Sequence, residues 1–199
     1  MRRPKKAAMN LRTLTATALL SALAYLMAFI ELHVPLSPSF AKMDLSDFPV
    51  LIGAFAFGPV CGLLVELVKN LLQLMSTSTG GVGELANFLM GASYAVAAGL
   101  IYRRHKTKKM AMISCIAASA VMGVVAALAN YFILLPLFER FMPMDQLIAS
   151  FSRFLPFIRT KLDVVIFNAF PFNVLKGLLI GGAAMLSYKR LTPILKGER

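Results

Sequence analysis

Tryptophan is absent from these 199 residues, and histidine and cysteine occur only twice each. Acidic side chains are scarce too, nine against 21 Lys and Arg, and charged residues of both signs make up 15% of the chain. No Ser/His/Asp set, paired carboxylates or metal-ligand cluster can be assembled from so few, and His33 and His105 both fall in connections between apolar runs. Catalytic residues, a metal site and a resident cofactor are therefore not expected. Cys61 and Cys115 lie inside apolar segments without ligand spacing, which excludes a disulfide framework and leaves them as small buried hydrophobes.

What is present is apolar surface. Hydrophobic residues make up 58% of the chain and the mean hydropathy is +0.73, above the roughly half-apolar composition of soluble domains. A spanning helix needs about 20 mostly apolar residues, so the chain holds five or six and has no room for a soluble catalytic domain. Thr13 to Ile30 is uncharged and follows Arg2, Arg3, Lys5 and Lys6; without a small-residue cleavage site before Glu31 it reads as a retained first helix, not a signal peptide. Further apolar stretches run over 48–75, 85–102, 110–138 and 164–187, the second of these five regions interrupted by Gly58-Pro59, a helix break.

Charge decides how often 48–75 crosses. The amino tail through Arg12 holds five basic residues, Arg103 to Lys109 another five and the tail from Lys189 four. Two crossings place all three clusters on one side, which the positive-inside rule favours. The expectation is an all-α integral membrane protein: a single substrate-binding bundle of six helices at about 11–31, 48–57, 59–75, 84–102, 110–134 and 162–190, both termini cytoplasmic. The charge of +12 is then topological and not a nucleic-acid footprint. Helix two is only about half a hydrocarbon core long, so protein must shelter it. The apolar connection 135–160 either lies along the interface or forms a lid. No internal repeat is present.

Ionisable groups inside spans are costly and usually functional. Lys42, Asp44, Ser46 and Asp47 precede the short helix, where Ser46 or Asp47 could serve only as caps. Glu66, Lys69 and Asn70 share one face by their i, i+3, i+4 spacing, open to reading as an internal salt bridge or as a site. In STSTGGVGELANF, residues 76–88, a phosphate-binding loop would need Lys then Ser/Thr after its last glycine, but Val82 and Glu84 flank Gly83, so nucleotide hydrolysis is unsupported; an extracellular turn with a helix cap and direct ligand contact by Glu84 and Asn87 stay equally open. Asn130, with Asn173 and Lys176 in PFNVLKG after a helix-bending proline, forms the richest set. Among Phe40, Met43, Phe132, Phe170 and Phe172, these amides and one cation suit a flat heteroaromatic ligand with a polar edge. Lys42, Asp44 and Asn70 are placed to meet its anionic or polyhydroxyl tail.

The ordered segments FAKMDLSDFPVLIGAFAFGP, GLLVELVKNLLQL, STSTGGVGELANF, NYFILLP and PFNVLKG, within Thr13 to Gly182, resemble the riboflavin-specific substrate-binding S components of energy-coupling factor (ECF) transporters. The resemblance implies a six-helix protein of the prokaryotic cell membrane that captures riboflavin outside the cell. Its partners would be a transmembrane coupling subunit and two cytoplasmic ATPases that drive uptake. It assigns Asn130, Asn173 and Lys176 to the isoalloxazine ring, and Phe40, Lys42, Met43 and Asp44 to a loop that closes over the ligand. It also assigns Ala18 and Ala22, continued at Ala24 and Ala28, to docking on the coupling subunit; small residues four apart permit close helix approach. The connection from Phe138 to Pro156 matches no motif of that family. An S component for another vitamin, or a structural membrane subunit, remains an alternative; cationic thiamine fits poorly beside Lys176.

Overall fold

A computed structural model describes residues 10–32 and 43–196, with side chains through 187. Phe40 and Lys42 lie outside the described residues. The first helix, α1 (Leu11–Met27), is capped by the Asn10 carboxamide, whose oxygen accepts from Thr13 N at 2.8 Å. It stops four residues short of the expected 31, because the chain turns over 28–30 into β1 (Glu31–Leu32). This strand pairs antiparallel with β2 (Met43–Asp44), Glu31 opposite Asp44 and Leu32 opposite Met43. The rest is helical: α2 (Asp47–Phe57), α3 (Pro59–Gln73) and α4 (Val82–Tyr102). Helix α5 starts at Lys108, passes through a π-helical turn at Asn130–Leu134 and continues to Phe138. A short α6 (Met144–Ser152) follows. Helix α7 opens at Lys161–Val164, makes a second π-helical turn at Val165–Ala169 and runs on as Phe170–Lys196.

Among the described residues, four helical stretches are long and apolar enough to cross a membrane: Pro59–Ser76, Val82–Tyr102, Lys108–Phe138 and Lys161–Ser187. Helices α1 and α2 are apolar but shorter. Exposed leucines such as Leu19, Leu26 and Leu179 coat the outside, the arrangement a hydrocarbon solvent permits because lipid does not penalise exposed apolar side chains.

Helix α2 sits at the centre, against α1, α3, α4 and α7, while α4 packs between α3 and α5 and α5 against α7. Nearly every α2 residue from Asp47 to Ala56 is buried, so its backbone groups are enclosed by protein although the helix is short. Gly58 makes the turn possible: at φ 101° it occupies a conformation open to glycine, and Pro59 then starts α3 at a position needing no N–H. The two helices fold back closely enough that a Cβ on Gly62 would lie 2.8 Å from that of Ala54. Along α1 and its C-cap, Ala24 and Ala28 are buried in the interior while Ala18 and Ala22 face outward. Only the latter pair shares an outer face, since six residues along a helix rotate a side chain by about 240°; the expected continuation of that stripe to Ala24 and Ala28 does not hold.

Candidate functional site

The site begins with charge that has nowhere to go but inward. Lys69 is fully buried, ion-paired to Asp47 and to Glu66 at 3.0 Å, and donates to Ser46 Oγ at 2.6 Å. Asp47 meets a second buried ammonium, Lys176 of α7, at 2.9 Å. Lys176 also donates to Asn87 Oδ1 at 3.0 Å and stands 3.9 Å from Asp44. Asp44 in turn accepts from Ser46 N at 2.8 Å and from the Asn87 amide at 3.4 Å. Ser46 therefore joins a network and makes no side-chain cap bond to α2. Three carboxylates and two ammoniums from β2, α2, α3 and α7 thus pair across elements, where a buried charge without a partner would be prohibitive.

Above this floor opens a cavity of about 310 Å³. One pole is built by the two π-helical turns, which pack against each other and supply Asn130 and Asn168, with Phe172 and Asn173 one turn further along α7. A π turn widens the helix and re-aims successive side chains, which is why such turns recur at binding sites. The Nδ2 groups of Asn130 and Asn173 donate to their own helices, to Ala126 O and Ala169 O, each at 2.8 Å. Their carboxamides are thereby oriented within the cavity wall. Another part of the lining comes from the α3–α4 connection, with Gln73, Ser76, Ser78, Thr79 and Glu84. Phe138 at the end of α5 and Phe151 of α6 close the apolar side.

Asp44, Asn130, Asn173 and Lys176 thus meet around one cavity. Asn70 does not: its amide nitrogen donates to Glu66 O and Glu66 Oε1, both at 2.8 Å, within α3. Met43 is buried but stands outside the cavity lining. Phe132 and Phe170 point away, 69% and 38% exposed, because two residues beyond Asn130 lies the opposite face of the helix. Of Phe170 and Phe172 in α7, Phe172 lines the cavity. Sequence reasoning missed Asn168, and for Glu84 and Asn87 it left a turn with a helix cap and direct ligand contact equally open; the structure puts both in the cavity lining. Phe138 and Phe151 carry no periodic signal. Among the described residues, no three His, Cys, Asp or Glu side chains gather as metal ligands.

The model of the ECF transporter substrate-specific component matches residues 12–191. The riboflavin transporter RibU of Staphylococcus aureus (strain TCH60) is 37% identical over 186 residues, covering 93% of each chain. The riboflavin transporter FmnP of Bacillus subtilis (strain 168) is 27% identical over 194 residues, 96% of this chain and 97% of its own. A solved S component of a bacterial ECF transporter superposes with a TM-score of 0.73 at 36% identity, over 93% of this chain and 98% of its own. Spanning nearly the whole chain and agreeing with its helical membrane fold, these matches place it: the chain belongs to the substrate-specific components of ECF transporters.

Proposed function

We propose that this S component binds riboflavin, taken from the extracellular side, in the cavity between α4, α5 and α7. The observation that carries the reading is the amide pole: Asn130, Asn168 and Asn173 beside Phe172 offer both donors and acceptors next to an apolar wall. A heteroaromatic ring with alternating carbonyls and ring nitrogens matches that pattern, and the relatives named as riboflavin transporters support it. Phe40 and Lys42 belong in this reading to the segment that closes over the ligand. The bundle crosses the membrane six times, α2 and α3 separately, with both termini cytoplasmic. Ala18 and Ala22 dock on a transmembrane coupling subunit that works with two ATPases. The protein performs no chemistry and holds no resident cofactor; riboflavin is cargo.

A second reading has one observation in its favour. Asp44, Glu31 and Glu84 line the cavity while Lys176 is already paired, so a cationic heteroaromatic vitamin would be electrostatically tolerated. Mass spectrometry of the small molecules released from denatured protein separates the two. Riboflavin, with a yellow preparation before denaturation, supports the first, and thiamine in its place would overturn it.

A further inference from the structure

The part of the cavity lining that the α3–α4 connection contributes is acidic and rich in acceptors. Glu84, in the first turn of α4, accepts from Thr77 Oγ1 at 2.9 Å and from Thr79 Oγ1 at 3.1 Å, both on Oε2. Thr79 is itself fixed by Gly83 N at 2.9 Å, a contact so close that a Cβ on Gly83 would lie 2.8 Å from the hydroxyl. The turn reaches this shape through Gly80 and Gly81, both at positive φ. Two hydroxyls donating to one oxygen hold the carboxylate in place, and its other oxygen, Oε1, accepts no hydrogen bond among the described residues. In the same lining, Gln73 Oε1 is buried without a donor among the described residues. Among the described residues the cavity lining carries three carboxylates, Glu31, Asp44 and Glu84, against one ammonium, Lys176. That ammonium is spent on Asp47 and Asn87.

We infer that Glu84 determines tail specificity: its braced carboxylate accepts hydroxyls of an uncharged polyol tail and repels the phosphate ester of the same ligand. The inference rests on the flavin reading, with the ring at the asparagine pole and the tail directed to the α3–α4 turn. A polyol supplies donors that Glu84 Oε1 and Gln73 Oε1 lack, whereas a phosphate monoester brings close to two negative charges and acceptors only. For charges about 7 Å apart in a water-like surrounding the repulsion amounts to roughly a tenfold loss of affinity.

The test titrates purified full-length protein with riboflavin and with riboflavin 5′-phosphate, following flavin fluorescence. Wild type is expected to favour riboflavin. Glu84→Gln keeps one carbonyl oxygen for Thr77 and Thr79 but removes the charge and turns an NH2 donor to the ligand, so it should weaken riboflavin and tighten the phosphate ester, narrowing the preference about 10-fold in all. Raising the salt concentration should narrow the wild-type preference too, without any variant. An unchanged ratio in Glu84→Gln, or equal weakening of both flavins, overturns the inference and leaves Glu84 as a brace of the turn. Wild type that binds neither flavin overturns the flavin reading and this inference together.

Discussion

At the scale of single residues the polar groups divide into two kinds that the sequence presents alike. Asn173 and Lys176 share a face and a motif, yet among the described residues Asn173 donates to Ala169 O of its own helix and lines the cavity, while Lys176 closes a buried ion network with Asp47. Replacing them should therefore give different signatures. Asn173→Ala is expected to weaken riboflavin binding by about 1–3 kcal/mol, roughly 5- to 150-fold, with thermal unfolding in detergent unchanged. Lys176→Ala should weaken binding and also destabilise, since removing one partner of a buried pair costs about 3–5 kcal/mol. Paired titration and unfolding curves check this, and identical behaviour of the two variants would contradict it. Spacing made Glu66, Lys69 and Asn70 legible as one cluster, but not that their partners would be Asp47 and Ser46 from another helix. A helical face shows which residues point together and says nothing of what they meet, so Asn70 was assigned to a ligand when Glu66 takes its amide.

At the scale of elements, close helix packing rests on small residues that substitute for the hydrophobic effect inside lipid. Gly91 of α4 lies against the Glu66 carboxyl group, so near that an added methyl would overlap it. Gly91→Ala is expected to lower stability by about 1–3 kcal/mol through overpacking and displacement of a buried charge. Gly182→Ala is the matched control: nothing lies within 4 Å of its Cβ position, and a helical alanine should raise stability by about 0.5–1 kcal/mol. Scanning fluorimetry of the two in the same detergent checks the opposite signs. The break between α2 and α3 was readable because Gly58-Pro59 violates helix chemistry locally. The π turns were not: they pack against each other across two helices, and a single sequence window does not contain that contact. Helix α6 escaped notice for a related reason, its nine residues being too short to stand out within an apolar connection.

At the scale of the whole molecule, charge distribution and surface carry the account. Cysteine at Ser78, after Cys61 and Cys115 are replaced by alanine, should react with an impermeant thiol reagent from outside intact cells, and cysteine at Thr107 only after permeabilisation. Labelling of Thr107 from outside would mean that 48–75 crosses once. The outward pair Ala18 and Ala22 yields a separate expectation: both changed to leucine should block uptake in cells and spare ligand binding by the isolated protein, because neither touches the cavity. The membrane class, helix order and family were all legible from hydropathy, basic clusters and ordered motifs, as these are properties of the chain as a line; the cavity was not, being assembled from six separate segments of the sequence. The central claim is that this cavity holds one flavin by its asparagine pole. Its most direct measurement is a fluorescence titration of riboflavin into ligand-free wild type and the Asn130→Ala/Asn173→Ala variant. Saturable one-to-one quenching in wild type, weakened at least tenfold in the variant at equal thermal stability, is the expected result; equal affinity of the two proteins, or no quenching by wild type, would contradict the claim.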